Sequence, residues 1–274
     1  MNYRHGFHAG NFADVVKHLA LVSVLLHLRK KEKPFCVIDT HAGRGLYDLT
    51  SREAKRTGEA VAGIGRLSEL RNTGVAALDT YFEAVRGAGE GHYPGSSLIA
   101  ASLLRDKDRL IAIEKHPEEF AALAGTLARF IRAKAVDADG YERLPALLPP
   151  AERRGLVLID PPFEDEKEFE HLARAFAGAY RRFATGIYML WFPIKSPAAA
   201  DAFMGEIANA GAAKLLRIDV ALNAPRVDGK ERLAAAGLLI VNPPFGLAEE
   251  MEEAARLVAP ALDARIAVKR LGAE

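Results

Sequence analysis

The chain has 274 residues, of which 50% are hydrophobic and 27% charged, with a formal net charge of +1. That length suits one large α/β domain or one domain with an insertion, and the near-neutral balance does not by itself mark a nucleic-acid binder. A single cysteine, Cys36, excludes a disulfide framework and a cysteine-rich metal site, and the apolar stretch Leu19 to Leu28 is too short to span a membrane and lacks a cleavage-site pattern, so a cytoplasmic protein is expected.

The first 34 residues depart from the overall balance. Six basic residues (Arg4, Lys17, Arg29, Lys30, Lys31, Lys33) face two acidic ones (Asp14, Glu32), a local charge of +4. Tyr3, Phe7, His5, His8, His18 and His27 are interleaved with them, a mixture suited to phosphates and bases. The competing reading is a solvated amphipathic helix with a snorkelling basic face, and charge alone favours it. Asn11 followed by Asp14 predicts an N-cap ahead of a helix from about Ala13 to Lys31. A short β-favouring run, Phe35-Cys36-Val37-Ile38, then empties into Asp39-Thr40-His41-Ala42-Gly43-Arg44-Gly45, where glycines permit close approach of backbone to a ligand. A dinucleotide loop would carry a third glycine at position 48, which is Asp48. An acid ending the strand before the turn better suits S-adenosylmethionine, whose amino group and sulfonium are cationic.

In a minimal doubly wound fold the next strand's acid arrives roughly 20 residues after the glycine turn. Here Glu114 comes about 70 residues later. The intervening stretch has helical patterns at Gly63 to Leu70 and Val75 to Val85, broken by Gly87-Ala88-Gly89-Glu90-Gly91, and predicts a helical insertion over the mouth of the sheet. Three strand ends then carry carboxylates in succession. Leu110–Ile113 ends in Glu114, Ala133–Val136 leads to Asp137-Ala138-Asp139-Gly140, and Leu156–Ile159 ends in Asp160. In an open parallel sheet these side chains converge outside the carboxyl ends of the strands. Glu114 suits ribose hydroxyls, and Asp139 an adenine amine with the Gly140 amide nearby. For any one of them, capping the next helix is the alternative.

The run Asp160-Pro161-Pro162-Phe163 has the chemistry of a clamp for a planar amine. Its prolines fix φ and remove two backbone donors, leaving a carbonyl and the Asp160 carboxylate as acceptors, while Phe163 offers a ring for stacking. Asp-Pro-Pro also makes an ordinary stiff exit turn, and Asn242-Pro243-Pro244-Phe245 repeats the pattern. Strand order separates the two: Asp160 ends the fourth strand, expected beside the first, whereas Asn242 is expected at a more distant edge. Further strands are predicted at Ile187–Phe192, Lys214–Leu222 and Leu238–Val241, seven in all, with Asn223 to Leu233 as a loop or hairpin connection. The acidic run Glu164 to Glu170 is placed in the first turn of a helix, where it repels phosphate.

Four segments together, Tyr3-Arg4-His5-Gly6-Phe7-His8-Ala9-Gly10-Asn11-Phe12-Ala13-Asp14-Val15-Val16-Lys17-His18, Asp39-Thr40-His41-Ala42-Gly43, Tyr93-Pro94-Gly95-Ser96 and Ile159-Asp160-Pro161-Pro162, make the chain resemble the ribosomal RNA large subunit methyltransferase J family over nearly its whole length. The resemblance implies a Rossmann-like class I fold, α/β with a seven-stranded, mostly parallel sheet, over residues 1–47 and 95–274, and a small helical insertion at 48–94. It implies methylation of N6 of an adenine in 23S rRNA with S-adenosylmethionine. No metal is expected, because the histidine spacing lacks a recognisable ligand set; no membrane partner is expected either, and a monomer is. By the same resemblance His18, His41, Ser96, Glu114, Asp139 and Gly140 line the cofactor. Asp160, with Pro161 and Phe163, holds the reacting base, and Tyr3 and Lys17 lie near it. Phe163 stands where many relatives carry Tyr, which keeps the ring but loses a hydroxyl. Two other readings stay open on the residues: a DNA adenine-N6 methyltransferase, which shares the clamp, and a non-catalytic RNA-binding module.

Overall fold

Asn11 opens the first helix as the sequence predicts. Its Oδ1 accepts hydrogen bonds from the Ala13 and Asp14 amides, both at 2.9 Å, and the helix α1 runs Phe12–Arg29. The computed structural model to which this belongs describes residues 5–224 and 233–271. Strand β1 (Cys36–Asp39) follows, then β2 (Leu46–Asp48), α2 (Arg52–Thr57), α3 (Glu59–Ala62), α4 (Ala76–Gly87) and β3 (His92–Pro94). The remaining chain alternates α5 (Ser96–Ser102), β4 (Arg109–Glu114), α6 (Pro117–Leu127), β5 (Ala133–Asp137), α7 (Gly140–Leu147), β6 (Gly155–Ile159), α8 (Glu168–Arg182), β7 (Ile187–Pro193) and α9 (Pro197–Asn209). It closes with β8 (Leu215–Leu222), β9 (Ala235–Val241), α10 (Leu247–Leu262) and β10 (Ala264–Leu271). The pattern at Gly63 to Leu70 yields a 3₁₀ turn at Ile64–Leu67.

The strands form one sheet in the order β10-β8-β9-β7-β6-β1-β4-β5, and β2 pairs with β3 in a separate two-stranded ladder. The main sheet has eight strands, one more than the seven predicted. The extra strand is β10, which pairs antiparallel with β8 at the edge and is buried only in part. Side chains alternate between two cores, as a pleated strand requires. Val37, Leu110, Ala112, Leu156 and Leu158 pack beneath α1, α4, α5, α6 and α10. Ile38, Ile111, Ile113, Val157 and Ile159 pack beneath α7, α8 and α9. Among the described residues no helix is long and apolar enough to cross a membrane.

Two expectations change in three dimensions. Strand β9 is not at an edge; it lies between β7 and β8 and runs antiparallel to both, with Val241 opposite Tyr188 at the start of β7. Asn242 therefore emerges at the end of the sheet opposite the Asp160 loop. There its Nδ2 donates to the Ala184 and Gly186 carbonyls at 2.8 Å, and Phe245 stands fully in solvent. The basic N-terminal face also divides. Helix α1 is buried on nearly every side, Lys17 at 4% exposure and His18 at 2%, whereas Arg29, Lys30, Lys31 and Lys33 are exposed where α1 gives way to β1. Arg29 to Lys33 lead into the start of β1, whereas Lys17 reaches Asp160 just past the end of β6, which is parallel to β1, so the exposed cations and Lys17 occupy opposite ends of the sheet. Tyr3 lies outside the described residues, as do residues 225–232 of the predicted Asn223 to Leu233 connection.

Candidate functional site

Because β1, β4, β5, β6 and β7 are parallel, their carboxyl ends and the loops that follow meet at one end of the sheet. They enclose a cavity of about 940 Å³. Its wall includes His18, His41, Ser96, Glu114, Asp139 and Gly140, and also Lys17, Asp160, Pro161 and Phe163. The residues chosen from the sequence thus converge on one space, Tyr3 apart.

One side of the cavity is built for close backbone approach. The turn after β1 carries Gly43 at φ +59°, where a Cβ would lie 2.2 Å from the Tyr47 hydroxyl. Gly140 opens α7 so near β1 that a Cβ would lie 2.1 Å from the Thr40 carbonyl oxygen. Glu114 ends β4 with its carboxylate held by two amides, Gly43 N–H at 2.9 Å and His116 N–H at 2.7 Å, and burial raises its pKa against those bonds. Asp139 does cap a helix: Oδ1 accepts from the Tyr141 and Glu142 amides, and Oδ2 from Lys115 Nζ at 2.9 Å. Burial opposes its charge, but Lys115 and these amides outweigh that and hold the carboxyl below its ordinary range. Capping and lining are therefore compatible in one residue. Asp39 lies one layer beneath, with Oδ2 accepting from Ser96 Oγ at 2.6 Å and Oδ1 buried without a hydrogen-bond partner among the described residues. Burial pushes its pKa up to about 7. A sealed carboxylate oxygen at the root of a glycine turn fits a cationic ligand group above it. His41 donates or accepts at Thr40 Oγ1 (2.8 Å) and meets the Tyr141 ring edge-on, and burial drives its pKa down to about 4.

The other side is built around Asp160. Its Oδ2 accepts from Lys17 Nζ at 2.5 Å, and Lys17 also donates to Asp14 Oδ1 at 2.8 Å. Desolvation would discharge so buried an ammonium, but the Asp14 and Asp160 carboxylates outweigh it and raise its pKa. Asp14 is braced in turn by the Gly10 amide and by His5 Nε2 at 2.9 Å. Asp160 Oδ1 takes no hydrogen bond from the described residues and belongs to the cavity wall. Phe163, at φ +51°, meets Phe169 and Trp191 edge-on with ring centroids 5.0 and 5.7 Å away. Lys17 Nζ sits 6.0 Å from the Trp191 ring centre. Glu168 begins α8 as predicted, while Glu164 and Asp165 stay in the preceding loop and line the cavity.

Residues 32–271 match the family model described as "Ribosomal RNA large subunit methyltransferase D, RlmJ". The chain is 40% identical over 255 residues to "Ribosomal RNA large subunit methyltransferase J" of Escherichia coli (strain K12), covering 92% of this chain and 90% of that one. It is 38% identical over 259 residues to the protein of the same name from Haemophilus influenzae, at 92% and 91% coverage. The chain belongs to this family. A crystal structure of a Legionella pneumophila protein, 31% identical, superposes with a TM-score of 0.86 over 96% of this chain and 98% of that one. This is the α/β fold expected from the strand order.

Several wall residues escaped the sequence reading. Asp14 was given no role in the site, yet it is the second carboxylate on Lys17, and its spacing of three on a helix was the available clue. Trp191 sits inside a strand with no local mark of a site. Behind the wall, Tyr93 reaches His18 and Tyr81 reaches Tyr93; Tyr93 stood in one of the family-like segments with no role attached and Tyr81 carried no signal, because only packing brings them there.

Proposed function

We propose that this chain transfers a methyl group from S-adenosylmethionine to N6 of an adenine in 23S ribosomal RNA, with Asp160, Pro161 and Phe163 holding the base. The observation that carries this reading is the Asp160 carboxylate: it lines the cavity with one oxygen tied to Lys17 and the other taking no hydrogen bond from the described residues, and its strand β6 pairs directly with the glycine-turn strand β1. S-adenosylmethionine supplies the electrophilic methyl when bound. Its site is the glycine-turn side, where Glu114, Asp139 and Gly140 receive the nucleoside and the buried Asp39 carboxyl lies under the cationic end. The 940 Å³ cavity exceeds the needs of one such ligand and leaves room for a nucleobase.

Adenine N6 is a poor nucleophile because its lone pair is delocalised into the ring. Asp160 Oδ1 and the Pro161 carbonyl accept hydrogen bonds from the two amine N–H groups and favour a pyramidal nitrogen whose lone pair is available. As positive charge develops on that nitrogen, the carboxylate stabilises it in a partly dry site, where such a term is large. Lys17, itself held by Asp14, keeps the Asp160 carboxylate aimed, so no rearrangement is needed during transfer. Phe163, backed by Trp191 and Phe169, limits how the base can lie. The base must leave its stack to enter, which costs a few kcal/mol and least in a loop.

Residues 48–94 are read as an inserted helical subdomain, since the β2–β3 ladder brings its two ends together as an insertion requires. The enzyme is taken to act as a cytoplasmic monomer. Transfer of labelled methyl from S-adenosylmethionine to naked 23S rRNA but not to duplex DNA is the expected result. Equal labelling of duplex DNA, or no labelling of rRNA, overturns the reading.

A further inference from the structure

His18 faces the cavity from α1, and its Nδ1 lies 2.8 Å from the hydroxyl of Tyr93 on β3. That hydroxyl lies 3.0 Å from the hydroxyl of Tyr81 on α4. Both tyrosines are 0% exposed, so water cannot supply missing partners to their hydroxyls, whereas His18, at 2%, still lines the cavity. Burial drives the His18 pKa down to about 3, so the ring is neutral and carries one proton. Of the charges around it, Asp14 favours the protonated ring while Lys17 and His5 oppose it, and together they do not reverse that.

Counting protons along this chain decides which nitrogen carries it. Each phenol has one proton to give, and a buried donor left unused costs more than the bond would have gained. If His18 Nδ1 carried the proton, it would donate to Tyr93; Tyr93 would then donate to Tyr81, and the Tyr81 proton would be stranded in a sealed core. In the reverse order Tyr81 donates to Tyr93 and Tyr93 donates to Nδ1. Both phenolic protons are then used. The ring proton must sit on Nε2, which has no hydrogen-bond partner among the described residues yet is not sealed from the cavity.

We propose that Tyr93, with Tyr81 behind it, is a positioning residue that locks His18 as an Nε2–H donor aimed into the cavity, toward the carboxylate of the amino-acid end of S-adenosylmethionine, a step that rests on that molecule being the ligand. The lock reaches across the fold. Both tyrosines come from the 48–94 segment, while His18 comes from α1, so the segment sets the hydrogen-bonding sense of the cofactor wall without touching the ligand.

The test uses full-length protein labelled with ¹⁵N-histidine, with the His18 signals assigned by His18→Gln. In wild type without ligand, the expected spectrum shows an unprotonated Nδ1 and a protonated Nε2. In Tyr81→Phe the tautomer persists, because Tyr93 still has only Nδ1 to donate to. In Tyr93→Phe the preference is lost and S-adenosylhomocysteine, used as the calorimetric probe, binds roughly tenfold more weakly. Since Tyr93→Phe also strands the Tyr81 hydroxyl, Tyr81→Phe/Tyr93→Phe serves as the folding control. Its melting temperature should return toward wild type while the weaker binding remains. A protonated Nδ1 in wild type, or wild-type affinity in a well-folded double variant, overturns the proposal. Failure of wild type itself to bind the probe would instead overturn the cofactor reading of the cavity.

Discussion

The two Pro-Pro-Phe loops allow a paired perturbation in which similar damage to stability separates from damage to chemistry. Asn242→Ala removes two hydrogen bonds, from Nδ2 to the Ala184 and Gly186 carbonyls, both 2.8 Å. Each contributes roughly 0.5–1.5 kcal/mol, less for the solvent-exposed one. Asn242 also sits at φ +54°, where alanine lacks the local tolerance of asparagine and costs about 1 kcal/mol more. The loss should total roughly 2–3 kcal/mol, or about 4–6 °C in melting temperature for a chain of this size. Asp160→Ala takes one of two carboxylates from buried Lys17 but leaves Asp14 at 2.8 Å, so its cost should be of the same order. Chemistry divides them. Single-turnover methyl transfer to an rRNA fragment should stay within about threefold of wild type in Asn242→Ala and fall by roughly 10²–10³ or more in Asp160→Ala, which loses charge stabilisation needed only in the transition state. Calorimetry with S-adenosylhomocysteine should show little change in either. If Asn242→Ala abolished transfer while folded, or Asp160→Ala transferred methyl at the wild-type rate, the placement of the reacting base at β6 would be refuted.

Gly140→Ala should lower cofactor affinity by tenfold or more in titration calorimetry, because its Cβ would meet a backbone oxygen at 2.1 Å and α7 must back away from β1; unchanged affinity would refute that close approach. Glu114→Ala should shrink the rise in melting temperature that S-adenosylmethionine produces, since ligand binding to the folded state stabilises it by mass action; an undiminished rise would count against the ribose assignment. Asp39→Asn should stabilise the ligand-free protein at pH 8. The folded state holds the Asp39 proton up to about pH 7 while the ordinary value is 3.8, so its burial penalty is absent below about pH 4, grows as pH rises and is complete above about 7, at up to about 4 kcal/mol. Denaturant melts of wild type and variant across that range check this, and a difference that does not grow with pH rules it out. Phe163→Tyr should keep near-normal transfer and Phe163→Ala should not, because the ring packs on Phe169 and Trp191; equal rates in both variants would remove the ring from the mechanism.

Much of the site was legible in the sequence because its parts are local. A parallel strand ending in an acid announces itself within a few residues, whether Asp39, Glu114 or Asp160, and strand order along the chain brings such ends together. The Asn11 cap and the glycine turn are likewise written in adjacent residues. Strand direction is not. Asp160-Pro161-Pro162-Phe163 and Asn242-Pro243-Pro244-Phe245 are nearly the same local message, and only the antiparallel insertion of β9 between β7 and β8 sends the second to the far end of the sheet. Charge alone favoured a solvated basic helix in the first 34 residues. Tertiary packing instead buried Lys17 between Asp14 and Asp160 and left Arg29 to Lys33 in water, because a helix pressed between the sheet and α4 has no solvent side for most of its length. The contacts that only tertiary structure decided, Tyr81 to Tyr93 to His18 and Lys17 to Asp160, join residues up to 143 positions apart. Period and composition govern which element a residue joins. Which side chain meets which across a buried gap depends on how whole elements pack, a property no stretch of the chain carries alone.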